Sequence, residues 1–336
     1  MVPHRTVPNY LRGNWCGHLG ALGWTHLKEV DPMQRRDLMI SALGAGTAGA
    51  MLAAQTRAAS RGANDLARGR SLQTGDGLKI FQREWGTGRT AVFVHSLALS
   101  SAMWAYQEQF LGTRGVRCVS FDRRGHGLSE PTRAGLDVDT FADDLHAVIE
   151  GLGLREVVLV GHSVGATDII RYVSRHGSRR VAKIALLAPT TPYVLQTADN
   201  PYGAPREYFE KSWSDWATDF PKWLQDNRAA AFTAETSPQM MDWIQLQMMR
   251  MHVPTLIAYH RAVVTTDLRP DLANIDRPVL ILQGDQDASA PLEITGRRTA
   301  AGLGDAVLKV YPGAPHLLFL THMAQVNRDL LQFIVG

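Results

Sequence analysis

Ser163 stands at the centre of Gly161-His162-Ser163-Val164-Gly165, where the apolar run Val157-Val158-Leu159-Val160 gives way to a helix-like stretch beginning near Ala166. A strand that turns sharply into a helix exposes the residue at its apex, and flanking glycines let neighbouring elements approach closely. Ser163 is therefore a candidate nucleophile. A serine hydroxyl is a weak nucleophile at neutral pH, so it needs a base and a group to orient that base. Serine, then acid, then histidine is one chain order in which such sets occur. Downstream, Pro278-Val279-Leu280-Ile281-Leu282 reads as a buried strand and opens into Gly284-Asp285-Gln286-Asp287-Ala288. Next, Ala306-Val307-Leu308-Lys309-Val310-Tyr311 reads as another strand, ending in Pro312-Gly313-Ala314-Pro315-His316. Both candidate partners thus fall just past the carboxyl ends of strands, where open parallel sheets gather their reactive groups. By spacing alone either Asp285 or Asp287 can reach a loop histidine.

Acyl chemistry also needs two N–H groups aimed at the developing oxyanion. Val164, directly after the serine, supplies one expected donor. The strand Thr90-Ala91-Val92-Phe93-Val94-His95, followed by Ser96-Leu97-Ala98, supplies the other, assigned to Leu97.

These elements must be held by a scaffold, and the rest of the chain reads as one. Strands near 78–85, 90–95, 116–121, 156–160 and 180–187 alternate with helices near 102–111, from about Thr140, and 165–176. Such alternation predicts a doubly wound α/β fold with a mostly parallel sheet. It stops between about Thr191 and Leu268, a segment rich in Trp, Tyr, Phe and Met that reads as a helical cap of residues 191–268. The core is then 71–190 and 269–336. Trp213, Trp216, Phe220 and Trp223 have helical spacing; most are expected to pack the cap and the rest to roof an apolar pocket.

With these residues in place, the chain from about Gly75 to Phe333 resembles the alpha/beta-hydrolase superfamily, and within it the cofactor-free haloperoxidase and aryl-esterase group. The segments Phe121-Asp122-Arg123-Arg124-Gly125-His126-Gly127-Leu128-Ser129, Arg180–Pro189 and Gln196-Thr197-Ala198-Asp199-Asn200-Pro201 carry that likeness along with the serine pentapeptide. The resemblance implies Asp287 as the acid, the fourth residue of a Gly-Asp-x-Asp run, and His316 as the histidine. It implies a serine hydrolase of small, perhaps aryl, carboxylic esters working through an acyl-enzyme, with peracid formation from peroxide as a side reaction. Carbon–carbon bond hydrolysis, acyl transfer, or a ligand-binding protein of the same fold are the alternatives. Three positions depart from the group: Ser96 where Gly is usual, His162 where Phe is frequent and Val164 where Met is frequent.

Several residues carry a plainer reading. His95, His126, His162, His252 and His260 show no metal-ligand spacing and are expected to be structural. Asp122 and Arg124 are expected to lock their turn-rich loop. With neither a dinucleotide fingerprint nor a phosphate-binding loop, no cofactor or metal is expected.

The 336-residue chain holds 35 Lys and Arg against 32 Asp and Glu. Residues 1–70 account for nine of the basic residues and four of the acidic ones, leaving 26 and 28 in the remainder. The basic balance belongs to the leader and gives no footprint for nucleic acid. There, Arg35-Arg36 precede the Gly- and Ala-rich run Ile40–Ala54, which resembles a twin-arginine export signal with Met33 as a candidate start. An exported protein and contact with that export machinery are the expectation; a membrane anchor and a cytoplasmic protein are the alternatives. Of the two cysteines, Cys16 lies in the leader and Cys118 in an apolar strand, so Cys118 is expected to be a packing residue.

Overall fold

The computed structural model describes residues 70–336. The leader's arginine pair, its apolar run and Cys16 lie outside these residues. Eight strands form one sheet: β1 (Arg70–Gln73), β2 (Lys79–Trp85), β3 (Arg89–Val94), β4 (Val116–Phe121), β5 (Val157–His162), β6 (Val181–Leu187), β7 (Val279–Gly284) and β8 (Ala306–Tyr311). Their order is β1-β2-β4-β3-β5-β6-β7-β8. The β1/β2 and β2/β4 pairs are antiparallel and the others parallel. This is the expected alpha/beta-hydrolase architecture. Strand order reverses between β3 and β5, opening a crevice at their carboxyl ends. The segments carrying Leu97 and Ser163 leave the sheet on either side of that crevice.

β1 departs from the sequence reading, which placed Arg70 in the leader. Its four residues, Arg-Ser-Leu-Gln, lie at the sheet edge with three of them exposed. An edge strand of that burial has no apolar alternation to reveal it.

The central strands are mostly buried and mostly apolar on both faces, as parallel strands between helix layers are. Period-two alternation sends Val92, Val94, Leu159 and Ile184 to one side and Ala91, Phe93, Val158 and Val160 to the other. Helices α1 (Ala105–Gly112), α2 (Val138–Gly151) and α3 (Val164–His176) follow β3, β4 and β5. Leu145, Val148 and Ile149 of α2 and Ile169, Ile170 and Val173 of α3 cover the first face. The Asp137 carboxylate accepts from the Thr140 N–H at 2.8 Å and caps α2. Cys118 is buried in the second face, and burial pushes its thiol up to about 12. A thiol so placed is inert packing.

Between β6 and β7 the chain is helical: α4 (Arg206–Asp226), α5 (Arg228–Ala231), α6 (Pro238–Met248), α7 (Val253–Thr265) and α8 (Arg269–Leu272). α4 bends at Asp219, two residues before Pro221. Proline cannot donate to the previous turn and clashes with it, so the bend has a covalent cause. Phe209, Trp213, Trp216, Phe220 and Leu224 of α4 form their own apolar cluster with Leu256 and Val264 of α7. The last elements are α9 (Gly296–Gly302), α10 (Leu318–Thr321) and α11 (Met323–Val335). Among the described residues no helix is long and apolar enough to cross a membrane.

Candidate active site

Ser163 follows β5 directly, with φ +56° and ψ −119°. A non-glycine residue at positive φ is strained and persists only where its surroundings over-determine it. Its N–H donates to the Leu187 carbonyl at 2.9 Å, and its own carbonyl accepts from the Ala166 N–H at 3.0 Å. The flanking glycines explain how the turn closes. A Cβ at Gly161 would stand 2.7 Å from the Gly165 carbonyl oxygen, and one at Gly165 would stand 2.5 Å from the Val94 carbonyl oxygen. Both positions exclude any side chain.

The structure brings Ser163, His316 and Asp287 together across 153 and 29 residues of sequence. Ser163 Oγ lies 3.0 Å from His316 Nε2. On the far side of the ring, Nδ1 lies 2.8 and 3.0 Å from the two Asp287 carboxylate oxygens. That carboxylate also accepts the N–H groups of Ser289 and Ala290, at 3.0 and 2.8 Å, so its direction is fixed. Nδ1 therefore carries the proton toward Asp287, leaving the Nε2 lone pair for the serine hydroxyl. All three residues are at least 90% buried. Asp285, the other candidate acid, points elsewhere: its carboxylate accepts from the Gly313 N–H at 2.8 Å and shapes the turn before His316.

Leu97 and Val164 line the same pocket as Ser163 and His316. Among the described residues neither backbone N–H meets an acceptor. Two unpaired amides beside a serine hydroxyl and an imidazole form the kind of site that could receive an oxyanion.

His162 has a use that sequence left open. Its ring is fully buried between Trp104, Phe319 and His316. Nε2 donates to the His316 backbone carbonyl at 2.9 Å, and burial holds the ring well below its ordinary pKa, hence neutral. The residue before the serine thus pins the backbone of the histidine that meets that serine. Phe at this position would pack but could not donate.

His260 and His126 each hold a hydrogen bond within the fold. His260 is held down to about 4 by burial and accepts from the Trp213 indole at 2.9 Å. His126 is held down to about 3 by burial and donates to the Arg124 carbonyl at 2.9 Å. Asp122 locks its loop by accepting the N–H groups of Ser101 and Leu128, each at 2.7 Å. Arg124 is clamped by Asp144, at 2.6 Å from two of its nitrogens, and by Asp76. Among the described residues no cluster of three or more His, Cys, Asp or Glu is arranged to hold a metal ion.

The pocket over Ser163 has two adjoining lobes of about 280 and 270 Å³. Trp216, Phe220 and Trp223 of α4 wall the first, along with Met248. Val194, Val263, Val264 and Ile294 wall the second. Tyr208, Phe209 and His260 border both. No Lys, Arg, Asp or Glu lines either lobe, so a bound group finds no countercharge there. Against the expectation from helical spacing that most of Trp213, Trp216, Phe220 and Trp223 pack the cap, three of the four line the pocket and Trp213 alone among them does not, packing within the α4 cluster and donating to His260. A further buried group missed in the sequence is Arg123, paired with Asp168 at 3.0 Å beneath the Leu97 loop.

Comparison with known proteins places this arrangement in a family. Residues 91–329 match the alpha/beta hydrolase family. The chain is 38% identical over 269 residues to a non-heme haloperoxidase of Rhodococcus erythropolis, covering 77% of this chain and 97% of that protein. It is 37% identical over 277 residues to a bifunctional esterase/perhydrolase of Acinetobacter calcoaceticus, covering 78% and 98% respectively. The crystal structure of a bromoperoxidase from Bacillus anthracis superimposes with a TM-score of 0.76 at 30% identity, over 80% of this chain and 100% of the other. The chain belongs to the alpha/beta hydrolase family, with non-heme haloperoxidases and an esterase/perhydrolase among its relatives.

Proposed function

We propose that the protein is a serine esterase of small, uncharged carboxylic esters, with perhydrolysis as a second outcome of the same acyl-enzyme. The observation that carries this reading is the hydrogen-bonded line from Ser163 Oγ through His316 to Asp287, set beside the unpaired Leu97 and Val164 amides. His316 Nε2 takes the Ser163 proton as Oγ attacks the ester carbonyl, and Asp287 stabilises the imidazolium. The tetrahedral oxyanion rests on the Leu97 and Val164 N–H groups. Collapse expels the alcohol, protonated by His316, and leaves Ser163 acylated. Water activated by His316 then releases the acid. When hydrogen peroxide takes the place of water, the acyl group leaves as a peracid, which can in turn oxidise halide. The names of the haloperoxidase and esterase/perhydrolase relatives support that branch. The charge-free lobes support a neutral substrate, since a buried unpaired charge is strongly disfavoured.

The test is Ser163→Ala, assayed on 4-nitrophenyl acetate with and without peroxide. Loss of the nucleophile costs about a millionfold in kcat in a well-studied serine enzyme, so both activities should fall to background. Labelling by a fluorophosphonate should vanish with them. A folded variant that keeps either activity overturns the scheme.

A further inference from the structure

Beneath the Leu97 loop lies a buried polar cluster whose charged and phenolic side chains, Arg123, Asp168 and Tyr259, line neither lobe of the pocket. Arg123, at the exit of β4, sends one guanidinium nitrogen to Asp168 on α3 at 3.0 Å and another to the Ser96 carbonyl oxygen at 3.1 Å. Asp168 also accepts the hydroxyl of Tyr259 on α7. All three side chains are at most 1% exposed. The Arg123 guanidinium lies 4.8 and 5.2 Å from the centroids of the Tyr259 and Phe141 rings, which stack on each other at 3.8 Å. The same Ser96 carbonyl receives a second donor. His95 Nε2 accepts the Arg123 N–H at 2.9 Å, so the ring proton sits on Nδ1, 2.8 Å from Ser96 O.

The Ser96 carbonyl and the Leu97 N–H belong to one peptide unit. In a planar trans peptide these groups point in opposite directions, so fixing the carbonyl aims the N–H. A cation on the oxygen also withdraws electron density through the amide and strengthens the N–H as a donor, the polarisation that makes hydrogen-bond chains cooperative. Val164, the other unpaired amide, packs against Tyr259 and Phe141 in the same apolar cluster, with Leu97 beside it.

We propose that Arg123 is a positioning residue that aims and polarises the Leu97 amide through the Ser96 carbonyl, and that Asp168 and Tyr259 hold it to that task. The inference rests on the esterase reading, in which Leu97 receives the oxyanion. It assigns the α7 segment of the helical insertion a part in the chemistry of the core. Tyr259 is the member of the cluster on the insertion, so a shift of α7 reaches Arg123 through its hydroxyl on Asp168 and through its ring.

The experiment compares the wild type, Tyr259→Phe, and the triple variant Arg123→Met, Asp168→Leu, Tyr259→Phe. Replacing a whole buried ion pair by apolar residues of similar volume is often neutral for stability, so the triple variant separates catalysis from folding. Each is assayed on 4-nitrophenyl acetate, and against a trifluoromethyl ketone whose adduct with Ser163 places an oxyanion where the ester would. Outright loss of an oxyanion donor costs about a hundred- to thousandfold, and misaiming one costs less. The triple variant should therefore lose about ten- to a hundredfold in kcat, with KM within about twofold and ketone affinity falling by the same factor as kcat. Tyr259→Phe should move kcat and ketone affinity together by about two- to fivefold, and it decides the matter if the triple variant does not fold. Folded variants with unchanged ketone affinity overturn the proposal, as does a loss of kcat that disappears once active sites are titrated. Failure of the esterase reading itself looks different: Ser163→Ala would then retain activity, whatever the cluster variants do.

Discussion

The floor and the roof of the pocket are fixed by different means. On the floor, backbone sets most of the groups: Ser163 by a strained turn, Asp287 by two N–H groups, and the Leu97 and Val164 amides by the ends of β3 and β5, with the His162 ring holding the His316 backbone. On the roof, side chains do the work: Trp216, Phe220 and Trp223 sit against one another with ring centroids 5.3 to 6.3 Å apart on a helix bent at Asp219. A site set by backbone and a few buried polar contacts tolerates little change, while a wall of stacked rings can be reshaped by one substitution. The floor and the rings of α4 thereby lie in different parts of the molecule, and the insertion meets the core beneath Leu97 through Tyr259 of α7.

The sharpest test of that separation is Asp287→Asn. It keeps the shape of the floor but turns an acceptor into a donor opposite Nδ1, favouring the wrong tautomer of His316. A corresponding change in another serine enzyme lowers kcat about ten-thousandfold, and a loss of that order is expected here for every ester tried. A loss that varied widely with the ester would show that floor and roof are not separate. Trp223→Ala should behave in the opposite way. In steady-state assays kcat/KM for a bulky aryl ester should fall about tenfold, while the value for a small acetate ester stays within about threefold. A uniform fall across the panel would place Trp223 with the floor.

The effect that is smallest near neutral pH appears only in acid. The His126 pKa is held at about 3, below the ordinary 6.5, so between these values the unfolded chain binds the extra proton. Stability from this residue is complete above about pH 6.5 and is lost as pH falls toward about 3, at about 1.4 kcal/mol per pH unit. His126→Asn keeps a donor for the Arg124 carbonyl and removes this residue's share of the slope, leaving that of His95, His162 and His260, which urea unfolding at a series of pH values would measure. An unchanged slope would mean that His126 does not enter the native state neutral.

The floor was legible in sequence because its signals are local. An apolar run followed by Gly-x-Ser-x-Gly, and two further strand exits carrying an aspartate and a histidine, place Ser163, Asp287 and His316 on one edge of a parallel sheet. The choice between Asp285 and Asp287 was less local. Two residues apart in one turn, they differ in which way the backbone sends them, and only the three-dimensional turn shows Asp285 serving the Gly313 amide. Helical spacing likewise marked Trp213, Trp216, Phe220 and Trp223 without distinguishing the one that turns to His260 from the three that face the pocket. Arg123 was illegible for a third reason. Its partners, Asp168 and Tyr259, lie 45 and 136 positions away on two different helices, and no periodicity links an arginine in a turn to either.

Gly165 sets a limit on how this pocket can diversify. Its backbone lies so close to Val94 that a single added carbon would stand 2.5 Å from the Val94 carbonyl, just upstream of the segment carrying Leu97. The two oxyanion walls are therefore gauged by bare backbone against bare backbone, with no side chain between them to lengthen or trim. A lineage seeking larger or smaller substrates cannot widen the gap one methylene at a time from this face. Its adjustable spacers are the side chains that wall the two lobes, the rings of α4 among them.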